Sequence, residues 1–255
     1  MIFCCRVCKS NIDQIKFKNN IANFHLCKNC DALQVVPFPS EQELRKLYKD
    51  SWKALKSAET GGVSEKLASF YINKLNNIFD LNNLILLDFG AGQGRLCFEF
   101  KKRGFHFYAY EPFGNSVVDQ QQSYIRSMHE IPTECDTVIM FDVIEHLSSP
   151  IEVITTLFDQ LGPNVKIFIS TPNPKSLNAI LRGAKWREAN KVGHIIFFTR
   201  KTSKIIASRL GCELIEVGPW GLANRNFVIN AFYRLLEIVG LGGATRFILT
   251  NRKDI

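Results

Sequence analysis

Three glycines at alternate positions, Gly90, Gly92 and Gly94, follow a short apolar run, Leu84–Leu87, and its closing acid Asp88. An apolar run of this length without alternation fits a strand buried on both faces. Beyond the glycines, Leu96, Phe98 and Phe100 recur among polar residues as far as Lys101–Arg103, and Gly104 is a helix stop. Strand, glycine turn and helix together form the opening unit of a doubly wound α/β sheet. Such sheets bind ligands at the carboxyl ends of their strands. The 255 residues leave room for one domain of this kind and a small appendage.

The spacing narrows the ligand. A dinucleotide turn reads G-x-G-x-x-G, whereas Gly90-Ala91-Gly92-Gln93-Gly94 is a G-x-G-x-G loop preceded by an acid. It resembles motif I of the class I methyltransferases, which bind S-adenosylmethionine (SAM). The resemblance assigns Asp88, Gly90, Ala91, Gly92 and Gly94 to the cofactor. Backbone without Cβ can approach the methionine end of SAM closely, and helix-terminal N–H groups can meet its carboxylate. Asp88 is left for its cationic side. Glu111 ends the next strand, Phe105–Tyr110, just before Pro112. An acid about 20 residues beyond the glycines takes the ribose hydroxyls in nucleoside-binding folds, and two carboxylate oxygens can accept both protons. The third strand, Tyr124–Ser127, is short. Ser127 stands where many relatives use an Asp for the adenine amino group.

Cys5-x-x-Cys8 and Cys27-x-x-Cys30 are separated by 18 residues, a spacing that suits a tetrahedral Zn²⁺ site. The residues between them are too few for a core of their own, so metal supplies the fold. Four cysteines close the coordination sphere, which makes the site structural. The start MIFCCRVCKS is no signal peptide, and cysteines so placed read as metal binding in a reducing cytoplasm. Pro37-Phe38-Pro39-Ser40 ends this ribbon, residues 1–39. A helical linker or lid, 40–82, follows. Ser40 and Glu43 form a capping box for a helix through about Lys49. Residues 50–63 form a linker broken at Gly61-Gly62, and Ser64–Leu81 is an amphipathic helix. This order resembles the zinc-ribbon front end of methyltransferases found in bacterial polysaccharide and sugar modification.

The fourth strand, Cys135–Phe141, runs into Asp142-Val143-Ile144-Glu145-His146-Leu147. This block resembles small-molecule O-methyltransferases, including the ubiquinone-biosynthesis type, in which the strand end, here Phe141 and Asp142, faces the sulfonium. If the turn continues as helix, Asp142, Glu145 and His146 share a face. Three readings stay open: a divalent-metal site such as Mg²⁺, as in those relatives, a general base at His146, or a structural helix start. The fifth strand, Lys166–Ser170, leads through Asn173 into residues 175–209, with nine Lys/Arg against one acid, an excess equal to the whole net charge of +8. A positive local field attracts an anionic partner. Asn173, Lys185, Arg187, Lys191 and His194 are the substrate-binding candidates. His194 is also the first choice of base, against a loop histidine packed on Phe197. Helices are expected over about 115–122, Ile151–Gln160 and, capped by Thr199, as far as Leu210. Cys212–Val217 pairs antiparallel with a last strand near Arg246–Thr250. The insertion between them, about 218–243, carries an apolar helix, Phe227–Val239, that lines the substrate mouth or forms a homodimer contact.

The expectation is an α/β protein: a Rossmann-like, seven-stranded class I methyltransferase sheet over 83–255 behind a zinc ribbon. It would methylate an oxygen of a small anionic acceptor. That acceptor is a nucleotide sugar, a sugar phosphate or another phosphoryl- or phosphoramidate-bearing polysaccharide precursor, with His194, His146, Glu145 and Asp142 as catalytic candidates. Two alternatives differ in class. The basic excess permits an RNA methyltransferase with a zinc-bearing N-terminus, although FDVIEH stands where base methylation uses [DNS]-P-P-[YF]. A non-catalytic SAM-binding module is the other. No apolar run is long enough to span a bilayer.

Overall fold

Apolar residues of the central strands alternate between two layers of core. Val138 and Met140 point to one side of the sheet and Ile139 to the other, all fully buried. The computed structural model describes residues 3–12, 14–55, 65–113, 124–223 and 225–253. The N-terminal ribbon comprises β1 (Phe3–Cys4), β2 (Asn11–Ile12), β3 (Ile15–Lys18), β4 (Asn23–Leu26) and β5 (Leu33–Val35). Helix α1 (Glu41–Leu55) follows, and Ser40 and Glu43 make the expected reciprocal cap. It runs past Lys49 to Leu55. Helix α2 (Glu65–Asn76) is shorter than the expected Ser64–Leu81, because the chain turns into a 3₁₀ segment at Leu81–Asn83. The expected Gly61-Gly62 break and the helix at about 115–122 lie outside the described residues.

The large sheet comprises β6 (Ile85–Phe89), β7 (His106–Tyr110), β8 (Tyr124–Ile125), β9 (Thr137–Phe141) and β10 (Lys166–Pro172). Helices α3 (Arg95–Lys102), α4 (Pro150–Leu161) and α5 (Leu177–Arg182) interleave with these strands. After β11 (Ile196–Phe197) come α6 (Arg200–Leu210), β12 (Glu213–Glu216), α7 (Phe227–Ile238) and β13 (Ala244–Thr250). The seven strands stand in the order β12-β13-β10-β9-β6-β7-β8. The five from β10 to β8 are parallel, and β13 is antiparallel to both of its neighbours. The order reverses between β6 and β9, so the ends of these two strands border the crevice in which such sheets bind ligands.

The ribbon is not a separate bead. Strand β11, far along the chain, completes its sheet in the order β11-β5-β4-β3. Val35 N–H donates to the Ile195 carbonyl (2.9 Å), and the Thr202 hydroxyl donates to the Cys30 carbonyl (2.8 Å). Phe197 packs between Phe24 and Trp186. Among the described residues, no helix is long and apolar enough to cross a membrane.

Candidate active site

The glycine turn is held from both sides. Gly90 and Ala91 N–H donate to the Tyr110 carbonyl (2.8 and 3.0 Å), which ties the turn to β7. Gly90 has φ +76°, and a Cβ there would stand 2.6 Å from a Val143 methyl, so the loop can approach the end of β9 only with glycine. Glu111 is buried; one carboxylate oxygen accepts from Gly92 N–H (3.1 Å) and the other from Phe113 N–H (3.0 Å). The Tyr124 hydroxyl donates to the Gly92 carbonyl. Gly94, φ +73°, is the N-cap of α3. Asp88 lies beneath the loop and accepts from the Cys97 thiol (3.4 Å). Burial pushes its pKa up to about 7, reinforced by the Glu111 charge. Pro112 is exposed in the turn after Glu111, and Ser127 caps the 3₁₀ turn Met128–Glu130. Phe141 stacks on Tyr71 of α2 (4.6 Å, 12°) and packs against Phe168 and Trp220. The sequence reading put Tyr71 in an amphipathic helix and Trp220 in a turn, and gave neither a place beside Phe141.

After β9 the chain does not continue as an α-helix. Asp142 takes φ +52° with its N–H on the Ser170 carbonyl (2.9 Å), and only a 3₁₀ turn, Ile144–His146, follows. The shared helical face is therefore absent. Asp142 is exposed to solvent although protein crowds it on most sides. Glu145 turns wholly inward, where the Thr171 hydroxyl donates to it (2.8 Å). His194 comes in beside it, because Ile195 N–H donates to the Glu145 carbonyl (2.9 Å). The rings of His146 and His194 meet edge to face at 4.5 Å. Glu145, His146 and His194 thus present ligand atoms within 4.8 Å of one another, with His194 in the place expected of Asp142. Among the described residues, Glu145 Oε1, His146 Nδ1 and His194 Nδ1 are buried without a hydrogen-bond partner, and His194 Nδ1 lies 3.8 Å from a Glu188 oxygen. Burial pushes the Glu145 carboxyl well up, with Asp142 adding to it. It lowers His146 to about 4 and, with His146 and Lys191 adding, His194 to about 2. Both imidazoles are neutral at neutral pH.

Arg187 and Lys191 each pair with Glu188 at 2.6 Å. Burial raises the Asp142 pKa, while Lys191, Arg246 and Arg187 oppose it. Arg246, half-buried over Trp220 and paired with Glu237 (2.6 Å), is a further basic group the sequence reading missed. A lone arginine in the apolar strand ATRFILT was the available signal. Lys185 is exposed on the 3₁₀ turn Gly183–Lys185. The Asn173 amide donates to the Gly240 and Gly242 carbonyls (2.9 Å each), and its oxygen accepts from Lys175 N–H (2.9 Å). Asn173 therefore braces the loop after α7. Tyr48 of α1 covers the site, its hydroxyl donating to the carbonyls of His146 (2.9 Å) and Gly193 (3.3 Å). Beside His194 a cavity of about 430 Å³ opens between the ribbon, α1 and the loop 192–195, with Val36, Phe38, Leu44 and Leu47 among its walls.

The four ribbon thiols converge. Cys5 and Cys30 Sγ are 3.5 Å apart, as are Cys8 and Cys27 Sγ, close to the edge of about 3.8 Å of a tetrahedron with Zn–S of about 2.3 Å. None of the cysteines is in a disulfide. Val7 N–H (3.4 Å) and the Gln34 amide (3.1 Å) donate to Cys5 Sγ, the outer support that thiolate ligands use. The residues present fit a structural zinc.

A family profile described as "Methyltransferase domain" matches residues 63–217. No curated protein matches the sequence. Among solved structures, 1,6-didemethyltoxoflavin-N1-methyltransferase of Burkholderia thailandensis is 12% identical, with a TM-score of 0.55 over 95% of this chain and 100% of that one. Magnesium protoporphyrin IX methyltransferase of Synechocystis PCC 6803 is 14% identical, with a TM-score of 0.54 over 83% and 100%. A putative methyltransferase in complex with the Haloferax volcanii Trm112 activator is 9% identical, with a TM-score of 0.54 over 83% and 99%. The first two were solved with S-adenosylhomocysteine bound.

Proposed function

Because the chain belongs to the methyltransferase-domain family and is a SAM-dependent methyltransferase, we propose that it methylates an oxygen of a small anionic acceptor. The carrying observation is the charge around Asp142. Arg187, Lys191 and Arg246 act on this carboxylate beside the neutral histidines, against Glu188, and a phosphoryl group there would share these cations with Glu188 and Glu237, which already pair with them. The resemblance of the ribbon to polysaccharide-modifying relatives favours a nucleotide sugar, sugar phosphate or phosphoramidate-bearing precursor.

The glycine turn and Glu111 bind SAM, and Phe141 and Asp142 flank its sulfonium. The acceptor oxygen attacks the methyl in line, the S–CH₃ bond breaks, and S-adenosylhomocysteine leaves. Holding the two reactants in line supplies much of the acceleration. The proton of a hydroxyl acceptor passes to His194 or, failing it, His146, whose burial-lowered pKa has to rise as the acceptor's negative charge comes beside the ring. An acceptor already ionised needs only the cations. Glu145, His146 and His194 also fit a divalent cation, by their convergence and their unpartnered atoms. Two imidazoles and a carboxylate suit a transition ion better than Mg²⁺, and an ion there would make the acceptor oxygen more acidic.

The test is SAM turnover over paired acceptors, phosphorylated and dephosphorylated, with and without chelator. Turnover confined to the phosphorylated member is expected. Equal turnover of both, or methylation of RNA alone, would discard the anionic small-molecule reading. Full activity in a His146/His194 double variant, without a chelator effect, would discard this placement of the site.

A further inference from the structure

Helix α7 is amphipathic with the wrong side out. Asn230, Tyr233 and Glu237, three and four residues apart, face the protein. The Asn230 amide oxygen accepts from Leu222 N–H (3.1 Å), the Tyr233 hydroxyl from Gly243 N–H (3.0 Å), and Glu237 from Gly221 N–H (2.8 Å). Glu237 also pairs with half-buried Arg246. The fit is close: a Cβ on Gly242 would stand 2.5 Å from Glu237 Cγ. These bonds fix how the helix is rolled. Its apolar stripe therefore points to solvent, with Phe227 at 87% and Val228 at 74% exposure and Phe232, Leu235 and Val239 more than half exposed. Helix α5 starts against the end of α7, where Leu177 N–H donates to the Leu241 carbonyl (2.9 Å), and it adds Ile180 and Leu181, the latter 76% exposed. Surface helices normally turn such a stripe inward, and an exposed apolar patch of this kind marks an interaction site.

The charge around the stripe says what covers it. Arg225 and Arg234, beside and on α7, and Arg182, at the end of α5, are exposed. In residues 218–243 the sole acid is Glu237, and in 175–209 it is Glu188; both are buried and paired with arginine. Two copies meeting about a twofold axis would set this arginine rim against itself. A bilayer rich in anionic headgroups matches both parts, taking the apolar stripe at its interface and the arginines at its phosphates. We propose that α7 and α5 form a peripheral membrane-docking surface for anionic lipid. Glu237 couples the inner face of α7 to Arg246, one of the charges acting on Asp142, so docking holds the cleft at a fixed position near the lipid surface.

The experiment is co-sedimentation of the full chain with vesicles of phosphatidylcholine alone or with one third phosphatidylglycerol. Binding to the anionic vesicles only, weakened by salt, is expected. Phe232→Asp should lower that binding about tenfold or more, as loss of a buried apolar side chain predicts, with unchanged unfolding temperature and SAM affinity. Binding that ignores lipid charge, or no binding to either vesicle, overturns the proposal. So does a concentration-dependent dimer that Phe232→Asp dissociates, which would make the surface an interface between copies. The wild-type lipid dependence carries the test without any variant, and none of these readouts depends on which acceptor is methylated.

Discussion

The cofactor side of the cleft is assembled from one βαβ unit. Asp88, the glycine turn and Glu111 are linked mostly by bonds within Ile85–Phe113; the exceptions are Tyr124, the bonds of the Glu111 backbone to the Ile125 carbonyl and the Arg126 guanidinium, and the close contact of Gly90 with Val143. The proposed acceptor side brings together Tyr48, Glu145, Thr171 and His194, and its frame reaches into the ribbon through Val35 and the Ile195 carbonyl. A local unit is specified by its own turn chemistry. A side built from distant segments depends on whatever holds those segments, and here that includes the four-cysteine cluster. The two sides should therefore fail separately.

Disrupting the four-cysteine site is the strongest way to test that separation. Cys30→Ser, or stripping with a tight chelator, should unfold the N-terminal sheet, since structural zinc supplies on the order of 10 kcal/mol of folding free energy in small sites. With β5 lost, Ile195 and His194 lose their support and turnover should vanish. SAM affinity by calorimetry should stay within about threefold, as expected of distant, independent sites. Equal loss of SAM binding would break the comparison.

Next in size is His194→Ala, which should lower kcat by about 10²–10⁴-fold, the usual range for general acid–base catalysis, at unchanged SAM affinity. The cofactor side has its own cost. The Asp88 pKa is about 7 in the folded protein against 3.8 for the free side chain. Below about pH 4 both states are protonated and nothing is lost. As pH rises toward 7 the unfolded state sheds the proton first, so stability falls, by up to about 4 kcal/mol at one pKa unit per 1.36 kcal/mol. Asp88→Asn should therefore stabilise the SAM-free protein at pH 8 and not at pH 4 in denaturant titrations, while weakening SAM. A flat difference across that range would show that Asp88 is already ionised. Smaller again is Glu111→Ala, which should weaken SAM by about 1.5–3 kcal/mol, the range for charge-assisted hydrogen bonds, without a change in acceptor KM.

The same contrast explains what the sequence disclosed. The strand and the glycine turn were legible because each depends on local pattern, the seven-stranded sheet through the resemblance of that turn to motif I of the class I methyltransferases, and the cysteine cluster through a spacing that carries its geometry. The grouping of Glu145 and His146 with Asp142 was expected from helical spacing, but positive φ at Asp142 and a 3₁₀ turn replaced that helix. His194 was singled out as a loop histidine. Its place against His146 comes from the pairing of β11 with β5, a long-range contact that no local pattern encodes. Arg246, expected in the last strand, and Trp220, expected in a turn, stayed hidden for the same reason: their partners Glu237 and Phe141 are brought beside them only by the fold.

Tyr48→Phe tests the finest joint between the two sides. The Tyr48 ring packs on Phe113, next to Glu111, at 5.3 Å and edge-on to His146 at 5.8 Å. Its hydroxyl is the bond by which α1 reaches the carbonyls of His146 and Gly193. Burial holds that phenol far above its ordinary pKa, so at neutral pH it acts as a donor and not as a base. Phenylalanine keeps the ring contacts and removes the donor, which should cost about 0.5–1.5 kcal/mol of stability, the net worth of an ordinary hydrogen bond. Because Glu145 and Ile195 still fix the two histidines, kcat should fall by less than about tenfold, well short of the loss of a general catalyst. Denaturant unfolding and steady-state turnover on one preparation give both numbers. A variant of normal stability that no longer turns over would move the Tyr48 hydroxyl from the frame into the chemistry, and α1 with it from the cover of the cleft to its acceptor side.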